Sequence, residues 1–222
     1  MAAQAYQAPL RARAHPQARS VAAPIVVAAL CAGAMALVWV LAALVPATHY
    51  RDAVLLHDFT QLNGPAVRSA ALPLYMLGPL GFVLWGAAVL AFALAQERTR
   101  EAAALAAVMI LAPLSADLLK PLTAHAHASV GGILPSAASW PSGHSTAVLA
   151  VVLCAVFIVP GRWKALVACV GAIYVLSVAL VLLLFASHMP SDVIAGFLLA
   201  SFWMALAVAG LRAAQRRWPV AG

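Results

Sequence analysis

The sequence predicts an all-α fold, a polytopic membrane bundle of about six transmembrane helices built as one domain. Three observations carry that expectation. Of 222 residues, 65% are hydrophobic and 9% charged, against about 45–50% and about 25% in soluble domains. The apolar residues fall in long continuous runs separated by short polar ones, the pattern of helices that cross a bilayer. The 13 Lys and Arg residues are divided unequally between alternate connections, as happens when cytoplasmic loops retain positive charge.

Taken in order, residues 1–23 form a basic tail containing Arg11, Arg13 and Arg19. Residues 24–45 are apolar over a stretch longer than the 7–15-residue core typical of a cleaved signal peptide, so they are expected to persist as the first helix. Residues 46–70 contain a short amphipathic stretch, with Tyr50, Val54, Leu55, Phe59 and Leu62 set among Arg51, Asp52, His57 and Asp58. Such a segment belongs in the membrane interface. The second and third spans are expected at 71–95 and 102–119, and Asp117 is the single charge in the first three spans. The fourth, 145–159, is short unless the preceding turn belongs to it. Spans at 165–186 and 191–211 complete the membrane domain, residues 24–211, and a second basic tail covers 212–222. Cys31, Cys154 and Cys169 all lie inside apolar segments, with no spacing that suggests a disulfide or a metal.

With six spans, ten basic residues fall on one side (Arg11, Arg13, Arg19, Arg98, Arg100, Arg162, Lys164, Arg212, Arg216, Arg217) and three on the other (Arg51, Arg68, Lys120). Both termini are therefore expected in the cytoplasm, in a multi-pass protein of the cell membrane. The net charge of +7 arises from short clusters beside the spans. These suit membrane lipids and lack the aromatic interleaving of a nucleic-acid surface, so no nucleic-acid partner is expected. The same topology places His49, His57, His125, His127, His144 and His188 at or near the outer face and leaves only His15 inside. Chemistry at the outer face is the expectation.

Three motifs mark that face: Lys120 at the end of the third span, Pro141-Ser142-Gly143-His144 before the fourth, and His188 with Asp192 four residues later at the start of the sixth. Together they resemble the type 2 phosphatidic acid phosphatase superfamily, whose pattern is Lys-x6-Arg-Pro, then Pro-Ser-Gly-His, then Ser-Arg-x5-His-x3-Asp. The resemblance covers roughly residues 50 to 210. The residues also make physical sense by themselves. With Pro141 in a first helical turn, the amides of Ser142, Gly143 and His144 face outward at a positive dipole end, which attracts anions. Gly143 permits close backbone approach, Ser142 adds a hydroxyl, and Lys120 supplies a point charge that Asp117, three residues earlier, can restrain. Asp192 can orient the His188 ring and stabilise its positive charge.

The resemblance implies an integral membrane lipid phosphatase that takes a lipid phosphate or diphosphate, without metal or other cofactor. It further implies that His188 is the nucleophile and forms a phosphohistidine, that Asp192 orients it, and that His144 is first general acid and then general base. The sequence departs from the pattern at both arginines. His127 followed by Ala128 stands seven residues after Lys120, and Leu182 stands six before His188. Charge-assisted hydrogen bonds contribute about 1.5–3 kcal/mol each, so losing two costs on the order of 3–6 kcal/mol. That is about a hundred- to ten-thousandfold in phosphate or transition-state binding. A protonated His127 would restore one cation and joins Lys120, Ser142 and Gly143 as an expected phosphate-binding residue. Two alternatives follow: a member that has lost turnover and kept a lipid-phosphate binding or scaffolding role, and an outer-face transition-metal site built on His125 and His127 with His144 and His188.

Overall fold

The computed structural model describes residues 20–76 and 78–218. Among them are eight helices and no strand: α1 (Ala22–Ala43), α2 (Pro46–Gln61), α3 (Pro65–Met76), α4 (Gly78–Ala95), α5 (Thr99–Thr123), α6 (Gly143–Ile158), α7 (Gly161–Leu184) and α8 (Pro190–Arg217). Residues 1–19, with Arg11, Arg13, His15 and Arg19 of the basic tail, lie outside the described residues.

Helices α1, α5, α7 and α8 are long and apolar enough to cross a membrane, and α4 and α6 are shorter apolar helices. These six coincide with the six expected spans. Large apolar side chains point outward along them, among them Leu30 at 67%, Leu84 at 60% and Ile173 at 63% exposure. Half of the buried residues in the shared core of α4, α5, α6 and α8 are small: Ala93, Ala102, Ala112, Ala150, Cys154 and Ala200. Big residues toward the surroundings with small ones between helices is the membrane arrangement, because close backbone approach takes over from the hydrophobic effect as the packing force. The chain is a helical membrane protein.

The helix borders follow local chemistry. α1 stops just before Pro46, which opens α2 at a position where a missing amide costs nothing. The corner is closed by α2's first turn: the Thr48 hydroxyl donates to the Leu41 and Val45 carbonyls, and His49 Nδ1 lies 2.5 Å from the Ala42 carbonyl. The Leu41 and Ala42 carbonyls belong to the last turn of α1, where the helix supplies no donor, and the Val45 carbonyl also accepts from the His49 amide at 2.9 Å. Residues 71–76, expected to begin the second span, belong instead to α3. α4 is described from Gly78.

Two ends of the bundle can be told apart. At one, Arg98 donates to the Ile158 carbonyl at 2.9 Å, and Arg100 and Arg212 donate to Trp218 and Ser20 carbonyls, each at 2.8 Å. The opposite end, called here the site end, gathers α2, α3, the C-termini of α5 and α7, the loop 124–142 and the N-termini of α6 and α8. α2 packs Ala53 and Leu56 onto Ala179, Leu183, Met189 and Val193. Asn63 donates to the Leu184 carbonyl at 2.9 Å, and Trp39 Nε1 donates to the Thr123 carbonyl at 3.3 Å. α6 has 16 residues, about 24 Å at 1.5 Å per residue, which is less than a hydrocarbon core of about 30 Å. Its first turn accordingly sits level with Lys120, short of the end of α5.

Candidate active site

The first turn of α6 is organised by Ser142. It is the N-cap in extended conformation, and its Oγ accepts from the Ser145 amide at 3.3 Å, an arrangement contributing about 1 kcal/mol. Its carbonyl accepts from the Thr146 amide and hydroxyl at 3.0 and 2.8 Å, and its own amide donates to the Asp192 carbonyl at 3.0 Å. Ser142 is wholly buried. The sequence expectation is corrected in one respect. Pro141 precedes the N-cap, so the helix begins one residue later and the Ser142 amide is spent on α8. Of the four first amides, which have no i−4 carbonyl inside the helix, the Ser142 and Ser145 amides are taken by the Asp192 carbonyl and the Ser142 hydroxyl, which leaves those of Gly143 and His144.

Lys120 reaches this turn from α5. Its Nζ lies 2.7 Å from Asp117 Oδ1, the restraint expected of a carboxylate three residues back. A Cβ placed on Gly143 would stand 3.6 Å from Lys120 Nζ and 3.7 Å from Asp117 Oδ1. Ammonium and helix start are therefore adjacent, with the bare glycine backbone between them.

The N-terminus of α8 supplies the other half. Met189 is the N-cap, Pro190 occupies the first position, and Asp192 Oδ2 accepts from the Met189 amide at 2.8 Å. The same oxygen lies 3.4 Å from His188 Nδ1. That exceeds a formed hydrogen bond. His188 is buried and Asp192 completely so, whereas His144 is exposed. The two imidazoles face one another with centroids 6.1 Å apart and planes at 64°.

In the loop 124–142, His127 Nε2 lies 3.0 Å from both the Ser136 carbonyl and the Ser139 hydroxyl. A carbonyl only accepts, so Nε2 carries a proton. Burial lowers the His127 pKa from its ordinary value, against the upward pull of the Asp192 carboxylate. His125 packs edge-on against His127 at 4.7 Å and tilts toward His49 at 6.2 Å. Among the described residues, no three of His, Cys, Asp and Glu form a group able to hold a metal ion.

The model of the PAP2 superfamily matches residues 31–216. The chain belongs to the PAP2 superfamily. A comparison with curated protein sequences finds no match. Among solved structures, this PAP2 chain is similar to one described as the first transmembrane PAP2 type phosphatidylglycerolphosphate phosphatase from Bacillus subtilis. The identity is 19%, the TM-score 0.63, and the match covers 89% of this chain and 98% of that one. The PAP2 fold is shared.

Where the PAP2 pattern carries its second arginine, Leu182 is 2% exposed and packs with Val148, Val175 and Val178. Three residues on, the Phe185 ring lies under the Arg68 guanidinium of α3 at 5.7 Å. Two further residues escaped the sequence reading. Gly196, one turn after Asp192, is where α8 meets the Ser142 cap; a Cβ there would come to 2.6 Å from the Ser142 carbonyl oxygen. Asp52 of α2 accepts from the Ser191 amide at 3.1 Å and from the Ser191 hydroxyl at 2.5 Å. Burial pushes the Asp52 carboxyl above the usual carboxylate range, and the Ser191 bonds partly offset this. An aspartate on an amphipathic stretch is visible in sequence, but nothing local names its partner.

Proposed function

We propose that the protein is an integral membrane lipid phosphatase that hydrolyses a lipid phosphomonoester or diphosphate through a phosphohistidine on His188. The observation that carries this reading is the convergence of three helix ends: His188 with Asp192 on its Nδ1 side, His144 facing it at 6.1 Å, and Lys120 beside Gly143. With Nδ1 turned to the carboxylate, Nε2 is the nitrogen left to attack phosphorus. The phosphoryl oxygens are held by Lys120 and by the Gly143 and His144 amides at the positive end of α6. As the P–O bond breaks, His144 gives its proton to the departing oxygen. Being exposed, it exchanges with water, and it then takes a proton from the water that attacks phosphohistidine and frees phosphate and His188.

The unequal distribution of Lys and Arg supports the placement. Arg98, Arg100, Arg162, Lys164, Arg212, Arg216 and Arg217 lie on elements at the end opposite the site, so the site end faces outward and both termini face the cytoplasm. Substrate then arrives from the outer leaflet, head group first.

The test is phosphate release by purified protein in detergent from phosphatidate, phosphatidylglycerol phosphate and polyprenyl diphosphate, with EDTA present. Release is expected from at least one, along with an acid-labile phosphoryl label on the protein that His188→Ala abolishes. Undiminished release by His188→Ala, or loss of release in EDTA, overturns the reading. One observation favours a second reading, a member that binds lipid phosphate without turnover: Leu182 is locked in the core where the family pattern has a cation. Substrate binding without release by natively folded protein selects it.

A further inference from the structure

We propose that Asp52 is a positioning residue for the His188–Asp192 pair, reaching from α2 to cap the first turn of α8 through Ser191 and so fixing the backbone that carries both side chains. The proposal rests on the phosphatase reading of that pair. The first turn of a helix has amides with no internal acceptor. In α8, Pro190 has none to offer, and Ser191 at the second position would be left with a buried amide and a buried hydroxyl. Asp52 takes both, one on each carboxylate oxygen, across 139 residues of sequence. Such bonds to an ionised acceptor are roughly twice as strong as neutral ones.

The turn 188–192 is thereby held from two sides. Inside it, Asp192 accepts from the Met189 amide and approaches His188 Nδ1. Outside it, Asp52 grips the residue between Pro190 and Asp192. Asp52 is itself fixed, because its neighbour Ala53 and Leu56 are packed under Met189 and Val193. The Asp192 backbone carbonyl in turn receives the Ser142 amide, so a shift at Ser191 would move the α6 cap as well. Since a misplacement of about 1 Å can cost about a hundredfold in rate, the clamp acts on turnover more than on binding.

The experiment compares wild type, Asp52→Ala, Asp52→Asn and Ser191→Ala in the full chain in detergent, by steady-state kinetics on whichever lipid phosphate the wild type hydrolyses and by hydrogen exchange over residues 186–194. Asp52→Ala is expected to lower kcat about 10- to 100-fold with KM nearly unchanged, and to speed exchange. Asp52→Asn, which keeps an acceptor for the amide, should recover kcat to within about threefold of wild type. Ser191→Ala should fall between, and serves if Asp52→Ala does not fold. Wild-type kcat in Asp52→Ala, or a change confined to KM, overturns the proposal. If the wild type hydrolyses nothing, the phosphatase reading fails and exchange alone decides: faster exchange in Asp52→Ala restored in Asp52→Asn sustains the clamp, and unchanged exchange overturns it.

Discussion

His127 stands where the family pattern places a permanently charged arginine, and its charge depends on pH. Burial depresses its pKa, so the imidazolium is favoured only on the acidic side of an ordinary histidine's range. If it contacts phosphate as a cation, KM should fall as pH is lowered through that acidic window and rise again above it. His127→Arg should lower KM at pH 7 and flatten the dependence. Steady-state KM across pH 5–8 for both proteins checks this, and identical profiles remove the idea. The local geometry around the candidate residues Lys120, His144, His188 and Asp192 was legible in the sequence because each sits in a short motif: a lysine one turn after an aspartate, a capped helix start, an imidazole and a carboxylate four residues apart. Ser142 is a candidate site residue on the sequence alone, but nothing there marks it as a wholly buried cap. Its amide partner, the Asp192 carbonyl, lies on another helix, and no spacing rule reaches that far.

Between elements, the decisive contact is the crossing of α6 and α8, where Gly196 lies against the Ser142 carbonyl. A Cβ at 2.6 Å from that oxygen and 3.0 Å from Ser145 Cβ cannot be absorbed without separating the helices. Gly196→Val should therefore cost about 1–3 kcal/mol, the usual range for overpacking, and lower activity with it. Gly143→Ala offers the contrast. Its Cβ would make ordinary contacts at 3.6 and 3.7 Å, so the melting temperature should stay within a degree or two while KM rises through crowding beside Lys120. Thermal unfolding in detergent with kinetics on both variants checks the pair; equal stability of Gly196→Val and wild type counts against the crossing as described. At this scale the six apolar runs were readable from hydropathy alone, since a bilayer sets the length of each. The border of the second was not. Residues 71–76 are as apolar as a span, yet they finish α3, and composition averaged over a window shows no border there.

For the whole molecule, the charge asymmetry and the position of the site make one statement that labelling can test. In a background with Cys31, Cys154 and Cys169 replaced by alanine, Ser129→Cys in the site-end loop should react in intact cells with a membrane-impermeant maleimide, and Gln215→Cys near the end of α8 only after lysis. The reverse pattern would invert the topology. The fold class was legible because composition alone excludes water as the solvent for most of the surface; how first and last helices meet was not, since periodicity contains no information on pairing order. α1 lies along α8, and the Asp52–Ser191 grip joins chain segments 139 residues apart. A ribosome feeding this chain into a bilayer releases α1 and α2 long before their partner exists. Until α8 is threaded, Asp52 has no Ser191 to accept from and the Ser142 amide has no Asp192 carbonyl to receive it, so the arrangement proposed as the active site is assembled only when the last helix closes the bundle.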